Sequence, residues 1–410
     1  MEIRPILATL RKHKLTAILL TLQVAFTCAI VCNVAFMIIH REQHVSLPTG
    51  IDENMLSVVS VRGIGKDENP WARHESDLAL LRQIPGVESV VAVSYSLPLN
   101  QNESSRGMCP SKQALDRAMQ RNSIKGSGCI EPSVYDGTPG LIGTLGLRLV
   151  DGRDFQPDEY VSKGQPAVAI ITRALARHLY PGKQALGQSM YDGEKFIRVV
   201  GIVDTLLRPN LHGPGTNYDS MIWPQLPSDA GVEYVLRSAP PDRRRVLDAA
   251  RVALLKADPS RIINPKRMQT YSQIRAEYFQ RDTTMIGLLL ASALGLLFVT
   301  ALGITGLANF WVGQRTRSIG IRRAIGATRG DILRYFQTEN FLIVTFGVVL
   351  GVLLAIGLNL LLMKHYELPR LPLWYLPVGA AVLWLLGQLA VLAPALRASN
   401  VPPVVATRSV

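Results

Sequence analysis

Four apolar stretches, Leu15–Ile39, Met285–Val312, Phe341–Met363 and Trp374–Leu396, constrain this chain more than any other feature. Each exceeds the roughly 20 residues needed to cross a hydrocarbon core of about 30 Å. None carries Asp, Glu, Lys, Arg or His in its interior. Backbone groups find no water in lipid, so stretches of this kind must fold as helices. The first is too long for the apolar core of a signal peptide, and no small-residue cleavage site follows Ile39. It is read as a retained anchor. The expected fold class is an α-helical membrane protein with four transmembrane helices.

Basic residues set the orientation. Arg4, Arg11, Lys12 and Lys14 precede the first span. Arg315, Arg317, Arg322, Arg323, Arg329 and Arg334 lie between the second and third, and Arg397 and Arg408 follow the fourth. Four-span alternation puts all three groups on one side, and the positive-inside rule makes that side the cytosol. Both termini are then cytosolic. The segment Arg41–Thr284 and the short loop Lys364–Leu373 fall outside. The net charge of +13 therefore reflects topology more than affinity for nucleic acid.

About 240 residues between spans one and two suffice for one large or two small domains. Met55–Val61, Val87–Val93, Ala167–Thr172, Phe196–Val203, Asp219–Trp223 and Glu233–Arg237 read as strands. Trp71–Gln83, Arg173–Leu179 and Asp242–Ala257 read as helices. The alternation predicts a large α+β domain, built as subdomains rather than one sheet, inserted between helices one and two. The polar stretch Asn102–Gly128 reads as an insertion or mobile loop, bracketed by Cys109 and Cys129. Both cysteines fall on the external side, where disulfides persist. A bridge between them is expected, contributing about 3 kcal/mol by the loop-entropy model. Cys28 and Cys32, inside the first span, are read as packing residues.

No Pro or Gly occurs between Tyr271 and Ile286. From Thr270 the chain thus reads as a helix running into the second span, a stalk carrying Ile274, Tyr278 and Phe279 above the bilayer. Gly287, Ala291 and Gly295 form a small-residue ridge on the second span, and Gly347, Gly351 and Ala355 form one on the third. Such ridges let helix backbones approach closely in lipid, within one chain or across a dimer seam. Gln23, Asn33, Asn309, Asn359 and Gln388 are read as interhelical hydrogen-bonding groups. Ion-coupled carriers usually place ionisable groups within their spans, and these spans have none.

Between the second and third spans lies Gln314–Leu333, with a cationic face, a short apolar ridge and a Gly-Ala-Thr break. Thr328 and Asp331 read as a capping pair that starts a new helix. A short, information-rich segment on the inner face of a bilayer points to a docking element for a soluble partner. The sequence contains no Gly-x-x-x-x-Gly-Lys-Ser/Thr, so nucleotide binding through a P-loop is not expected here.

The run Arg317-Ser-Ile-Gly-Ile-Arg-Arg-Ala-Ile-Gly-Ala-Thr-Arg-Gly-Asp-Ile-Leu333 resembles the signature of the MacB/FtsX-type permeases of ABC transporters, with Ser318 where the family usually has Glu. The closing stretch Pro394–Arg408 is similar to the family's C-terminal motif. Gly152–Phe155, Val168–Lys183, Ala185–Ser189 and Val199–Val203 resemble the MacB-like periplasmic core. The resemblance implies an N-terminus and first helix in residues 1–40, a MacB-like periplasmic core domain in 41–269, and a stalk with an FtsX-like permease domain in 270–410. It implies residence in the bacterial inner membrane with the large domain in the periplasm. Implied partners are a separate cytosolic ATPase subunit, a second permease copy or paralogue, a periplasmic adaptor and an outer-membrane channel. The coupling segment is then Arg317, Ile319, Gly320, Ile321, Arg322, Arg323, Ile325, Gly326 and Asp331. MacB carries its ATPase on the same chain; no N-terminal extension for that fusion precedes the first span here, so a separate subunit is expected.

The implied function is an efflux or export permease for peptides, antibiotics or similar amphipathic compounds. Alternatives are a signal coupler of the FtsX kind acting on a periplasmic partner, and a lipoprotein-extraction permease. No His-Glu-x-x-His, Gly-x-Ser-x-Gly or Cys-x-x-Cys motif occurs, so no catalytic residue, metal site or cofactor is expected. His74 with Glu75 and Asp77 is read as a solvated helix start.

Overall fold

The computed structural model describes residues 14–63, 69–193, 195–213, 215–366 and 371–400. Arg4, Arg11, Lys12, Arg408 and the end of the closing motif lie outside the described residues. The chain divides into two compact units. Leu47–Gln280 forms one, and the segments before and after it form the other.

Helix α1, Lys14–Val45, opens the chain. The first unit then begins with β1 (Leu56–Arg62), α2 (Pro70–Arg82), β2 (Val87–Val93) and β3 (Ser104–Ser105). Next come α3 (Lys112–Arg121), β4 (Ser133–Asp136), α4 (Leu141–Leu145), β5 (Leu149–Gly152), β6 (Val168–Thr172) and α5 (Arg173–Leu179). It closes with β7 (Ser189–Asp192), β8 (Lys195–Val203), β9 (Ser220–Trp223), β10 (Gly231–Ser238), α6 (Arg243–Ala257), β11 (Ile262–Thr270) and α7 (Tyr271–Tyr278).

Two sheets result. The antiparallel one runs β11-β1-β10-β2, and the mixed one runs β3-β4-β9-β6-β8-β5 with β7 on β8. Strand β1 is apolar on both faces, so successive residues enter different cores. Val59 and Val61 pack with Leu78, Leu81, Val246 and Leu254 of α2 and α6. Leu56 and Val58 join Ile170, Val200 and Ile222 of the mixed sheet. That shared core binds the two sheets into one α+β unit.

The stretch read as an insertion or mobile loop contains a helix. Ser111 Oγ accepts from the Ala114 amide at 3.2 Å, starting α3, and Asn122 ends it with a left-handed φ of 46°. Ala114 and Ala118, one turn apart, bury against Cys109 and Cys129. Polar composition concealed a helix that needs only one small apolar stripe. Cys109 and Cys129 are joined as a disulfide.

The second unit contains α8 (Gln280–Ala324), α9 (Arg329–Tyr366) and α10 (Tyr375–Ser399) beside α1. All four are long and apolar enough to cross a membrane. The expectation of one unbroken helix from Thr270 is corrected. Phe279, 1 % exposed, has φ −93° and ψ 9° and separates α7 from α8.

The two ridges have different environments. A Cβ on Gly347 would lie 2.7 Å from Val24 Cβ, and one on Gly351 2.5 Å from Cys28 Cβ. Asn33 Nδ2 donates to the Ala355 carbonyl at 3.1 Å. This ridge is thus where α9 meets α1. Gly287, Ala291 and Gly295 are exposed, and an added Cβ on either glycine meets nothing within 4 Å. Further polar links join the bundle. Thr27 meets Thr300 at 2.8 Å, Asn340 Nδ2 donates to the Gly387 carbonyl at 2.9 Å, and Gln23 Nε2 donates to the Val299 carbonyl at 3.3 Å.

Candidate coupling site

Helix α8 ends with paired backbone bonds. The Ala327 amide donates to the Arg322 carbonyl at 3.1 Å, and the Gly326 amide donates to the Arg323 carbonyl at 3.2 Å. This is a Schellman motif, which requires a left-handed residue at its turn. Gly326 supplies it, with φ 108°. A new helix starts two residues later. The Asp331 amide donates to Thr328 Oγ1 at 3.2 Å, and the Thr328 amide donates to Asp331 Oδ2 at 3.0 Å. Reciprocal bonds of this kind form a capping box, here with Asp in place of Glu. The link between α8 and α9 is therefore a fixed corner.

The corner has distinct faces. Ile319 is 4 % exposed and packs with Ile332, Phe336, Ala395 and Ala398. Gly320 is buried as well. Ile319 is thus turned toward α9 and α10 rather than toward solvent. Ile321 and Ile325 point away from that core and are 47 % and 82 % exposed. Arg317, Arg322, Gly326 and Asp331 are exposed beside them, and Arg323 is half-buried. The Arg322 guanidinium lies 5.0 Å from the centre of the Tyr335 ring, a cation–π contact that lays its stem along the corner. The result is an apolar knob, Ile325, on a rigid turn ringed by arginines.

Sequence reasoning missed the anchor behind this corner. Arg315 Nη1 lies 2.8 Å and 3.1 Å from the two carboxylate oxygens of Glu339. Their side chains are 14 % and 1 % exposed, and the guanidinium sits 5.7 Å from the centre of the Trp311 ring. A buried carboxylate must be paired, so this contact fixes the basic end of α8 on α9. The available signal was a single Glu two residues before the third apolar stretch, bearing the sign opposite to its arginine-rich surroundings.

At the other end of the bundle Arg41 of α1 forms an ion pair with Asp282 of α8. Within the first unit, α7 is tied to the start of the domain. Arg275 pairs with Glu53 at 2.6 Å and donates to the Leu47 carbonyl at 2.7 Å. Tyr271 is fully buried and its hydroxyl donates to the Pro98 carbonyl.

Comparison with known proteins places this architecture. The model of the MacB-like periplasmic core domain matches residues 16–250, and that of the FtsX-like permease C-terminal domain matches residues 290–403. The chain is 25 % identical over 288 residues to an uncharacterised ABC transporter permease, YvrN, of Bacillus subtilis (strain 168), covering 68 % of this chain and 70 % of that one. It is 26 % identical over 370 residues to the macrolide export ATP-binding/permease protein MacB 1/2 of Paracoccus denitrificans (strain Pd 1222), covering 87 % of this chain. It spans about half, 51 %, of that relative's length. The crystal structure of the periplasmic region of MacB from Actinobacillus actinomycetemcomitans aligns with 57 % of this chain and 97 % of its own, at 15 % identity and a TM-score of 0.31. With one family model covering more than half of the chain and the second covering its C-terminal helices, the chain belongs to the MacB/FtsX-type ABC transporter permeases.

Proposed function

We propose that this chain is the permease subunit of an ABC-type export system in the bacterial inner membrane. In this reading both termini and the α8–α9 corner face the cytosol, and Leu47–Gln280 lies in the periplasm. A separate ATPase subunit docks on the corner. Its ATP-driven movement passes along α8 to the outer domain, which pushes peptides, antibiotics or similar amphipathic compounds outward. A second permease copy or paralogue completes the assembly, and a periplasmic adaptor with an outer-membrane channel receives the cargo.

One observation carries the docking assignment. Ile325 is 82 % exposed on a turn that its two caps hold rigid. Water-exposed isoleucine on a fixed, cationic corner gains from burial in a partner. Arginine provides a planar fork for carboxylates on that partner. If the arginines only set topology and touched lipid headgroups, lysine would serve equally well.

The test follows from that difference. Arg322→Lys with Arg323→Lys keeps the charge and removes the bidentate geometry. Ile325→Asp puts a charge into the apolar contact, at a cost of roughly several kcal/mol if buried unpaired. Both variants are expected to weaken pull-down of the ATPase and lower substrate resistance in cells at normal membrane levels. Wild-type behaviour of both would sink the docking assignment.

A further inference from the structure

Helix α8 is fastened to its own unit along only part of its length. Within this chain none of residues 281–299 is buried. Thr300, Ile304, Ala308 and Trp311 are buried, and their spacing puts them on one helical face. Thr300 is thus the last buried residue of this seam on the way to Gln280. At the seam's other end stands Arg315, paired with Glu339 of α9.

Thr300 meets Thr27 of α1. Their hydroxyl oxygens are 2.8 Å apart, and both residues are 1 % exposed. Each hydroxyl also faces a carbonyl one turn back in its own helix. Thr27 Oγ1 lies 2.8 Å from the Gln23 carbonyl oxygen, and Thr300 Oγ1 lies 2.9 Å from that of Leu296. A hydroxyl has one proton to donate, so two protons serve three contacts. One hydroxyl donates across to the other helix, and the second donates back along its own. When the two helices shift, each hydroxyl donates to its own carbonyl and no donor is stranded. Thr305, which donates to the Ala390 carbonyl of α10 at 3.0 Å, has the same recourse to the carbonyl four residues back.

The contact between α1 and α9 is built differently. Asn33 Nδ2 donates to the Ala29 carbonyl at 2.9 Å and to the Ala355 carbonyl at 3.1 Å. Both of its hydrogens are committed, so a shift of α9 against α1 would leave an N–H without an acceptor in hydrocarbon. Two further links join α1 to α8. The bond from Gln23 Nε2 to the Val299 carbonyl is longer, 3.3 Å, and exposed. Arg41 reaches Asp282 through a long, rotamer-rich side chain, so that pair follows a small displacement.

We propose that Thr27 and Thr300 form a releasable latch, at which α8 shifts against α1 while the Arg315–Glu339 pair keeps its other end on α9. A pivot at one end and a latch partway along make α8 a lever. This rests on the reading of α8 as the transmitting helix, and it assigns the moving joint to the α1–α8 contact rather than to α1–α9.

The experiment uses the full chain in nanodiscs, with Cys28→Ala and Cys32→Ala so that spin labels attach only where intended. One label pair, Ile30→Cys with Leu294→Cys, spans α1 and α8. The control pair, Ile30→Cys with Leu353→Cys, spans α1 and α9. All three positions are exposed. Thr300→Val keeps the side-chain shape and removes the hydroxyl. It is expected to raise the share of the longer α1–α8 distance about threefold, the worth of a typical interhelical hydrogen bond in lipid, and to leave the α1–α9 distance unchanged. ATP added with a bound ATPase subunit should raise the same population in the chain that keeps Thr300. Should Thr300→Val fail to fold, Thr27→Val removes the same contact from the other helix and decides in its place. An unchanged α1–α8 distribution in the folded variant, an equal change in the α1–α9 pair, or no response to ATP with the ATPase bound would overturn the latch. Failure of the ATPase to bind would count against the docking assignment alone, and the variant without ATPase would then decide the latch.

Discussion

Single side chains at two depths hold this protein's charge in place. Arg315 and Glu339 form a buried pair, and removing one partner strands the other. Glu339→Leu alone is expected to cost about 3–5 kcal/mol, while Arg315→Met with Glu339→Leu should cost much less, because no unpaired charge remains. Thermal unfolding of the two variants in detergent separates these outcomes; equal losses would contradict the pairing argument. In the outer domain Glu233 shows the opposite balance. Burial pushes its pKa up to about 7, and Arg267 and Asn100 only partly oppose that. The folded state thus holds the proton more tightly than the unfolded chain does. Its contribution to stability is fully present below the unfolded value near 4.5, is lost as pH rises toward 7, and is constant above. Glu233→Gln should flatten that part of the stability–pH curve and stabilise the protein at pH 8. A curve of unchanged slope between pH 4.5 and 7 would remove Glu233 from the account.

At the scale of elements, the informative cases are those where local signals and tertiary packing diverge. Strands β2, β6 and β10 were legible from their Val, Ile, Leu and Tyr content, because apolar residues on both faces of each enter a core. Helix α3 was not, since its buried stripe is two alanines in a Lys/Gln/Arg-rich segment. Strand β11, with Asn264, Pro265, Lys266 and Arg267, sits at a sheet edge, where such residues blunt unwanted pairing and erase the strand pattern. The corner at Gly326 was legible from Gly-Ala-Thr and from the Thr328/Asp331 spacing, because caps are local chemistry. The Arg315–Glu339 anchor was not, because the partners are joined only when α8 folds back on α9. The disulfide tests the folded loop. Non-reducing peptide mapping should recover Cys109 linked to Cys129. Replacing both with Ser should lower stability by about 3 kcal/mol, with loss confined to the segment from Cys109 to Cys129 in hydrogen exchange. Two freely alkylated thiols in the oxidised protein would contradict the linkage.

At the scale of the whole molecule, the backbone passes between the two units at Ser46–Leu47 and at Gln280–Arg281. Both passages are locally braced. Arg41 and Asp282 pair inside the helical unit. Arg275 ties α7 to Glu53 and to the Leu47 carbonyl inside the outer unit. A movement imposed on α8 at its Gly326 corner would therefore arrive at Gln280 through a continuous helix and enter a domain whose first and last segments are fastened together. Phe279 is the interruption in that line, a single non-helical residue between α7 and α8. Mechanical coupling depends on this junction being short, since a helix transmits displacement and a flexible linker absorbs it. Insertion of Gly-Ser-Gly after Phe279 leaves every side chain of both units in place. The expected outcome is normal membrane levels, normal association with the ATPase and an unchanged melting profile, together with loss of substrate resistance in cells. A rigid insertion of one alanine-rich helical turn at the same point should retain more activity than the flexible one. Full resistance with the Gly-Ser-Gly insertion would show that force does not travel through this junction, and would remove mechanical transmission by α8 from the proposed function.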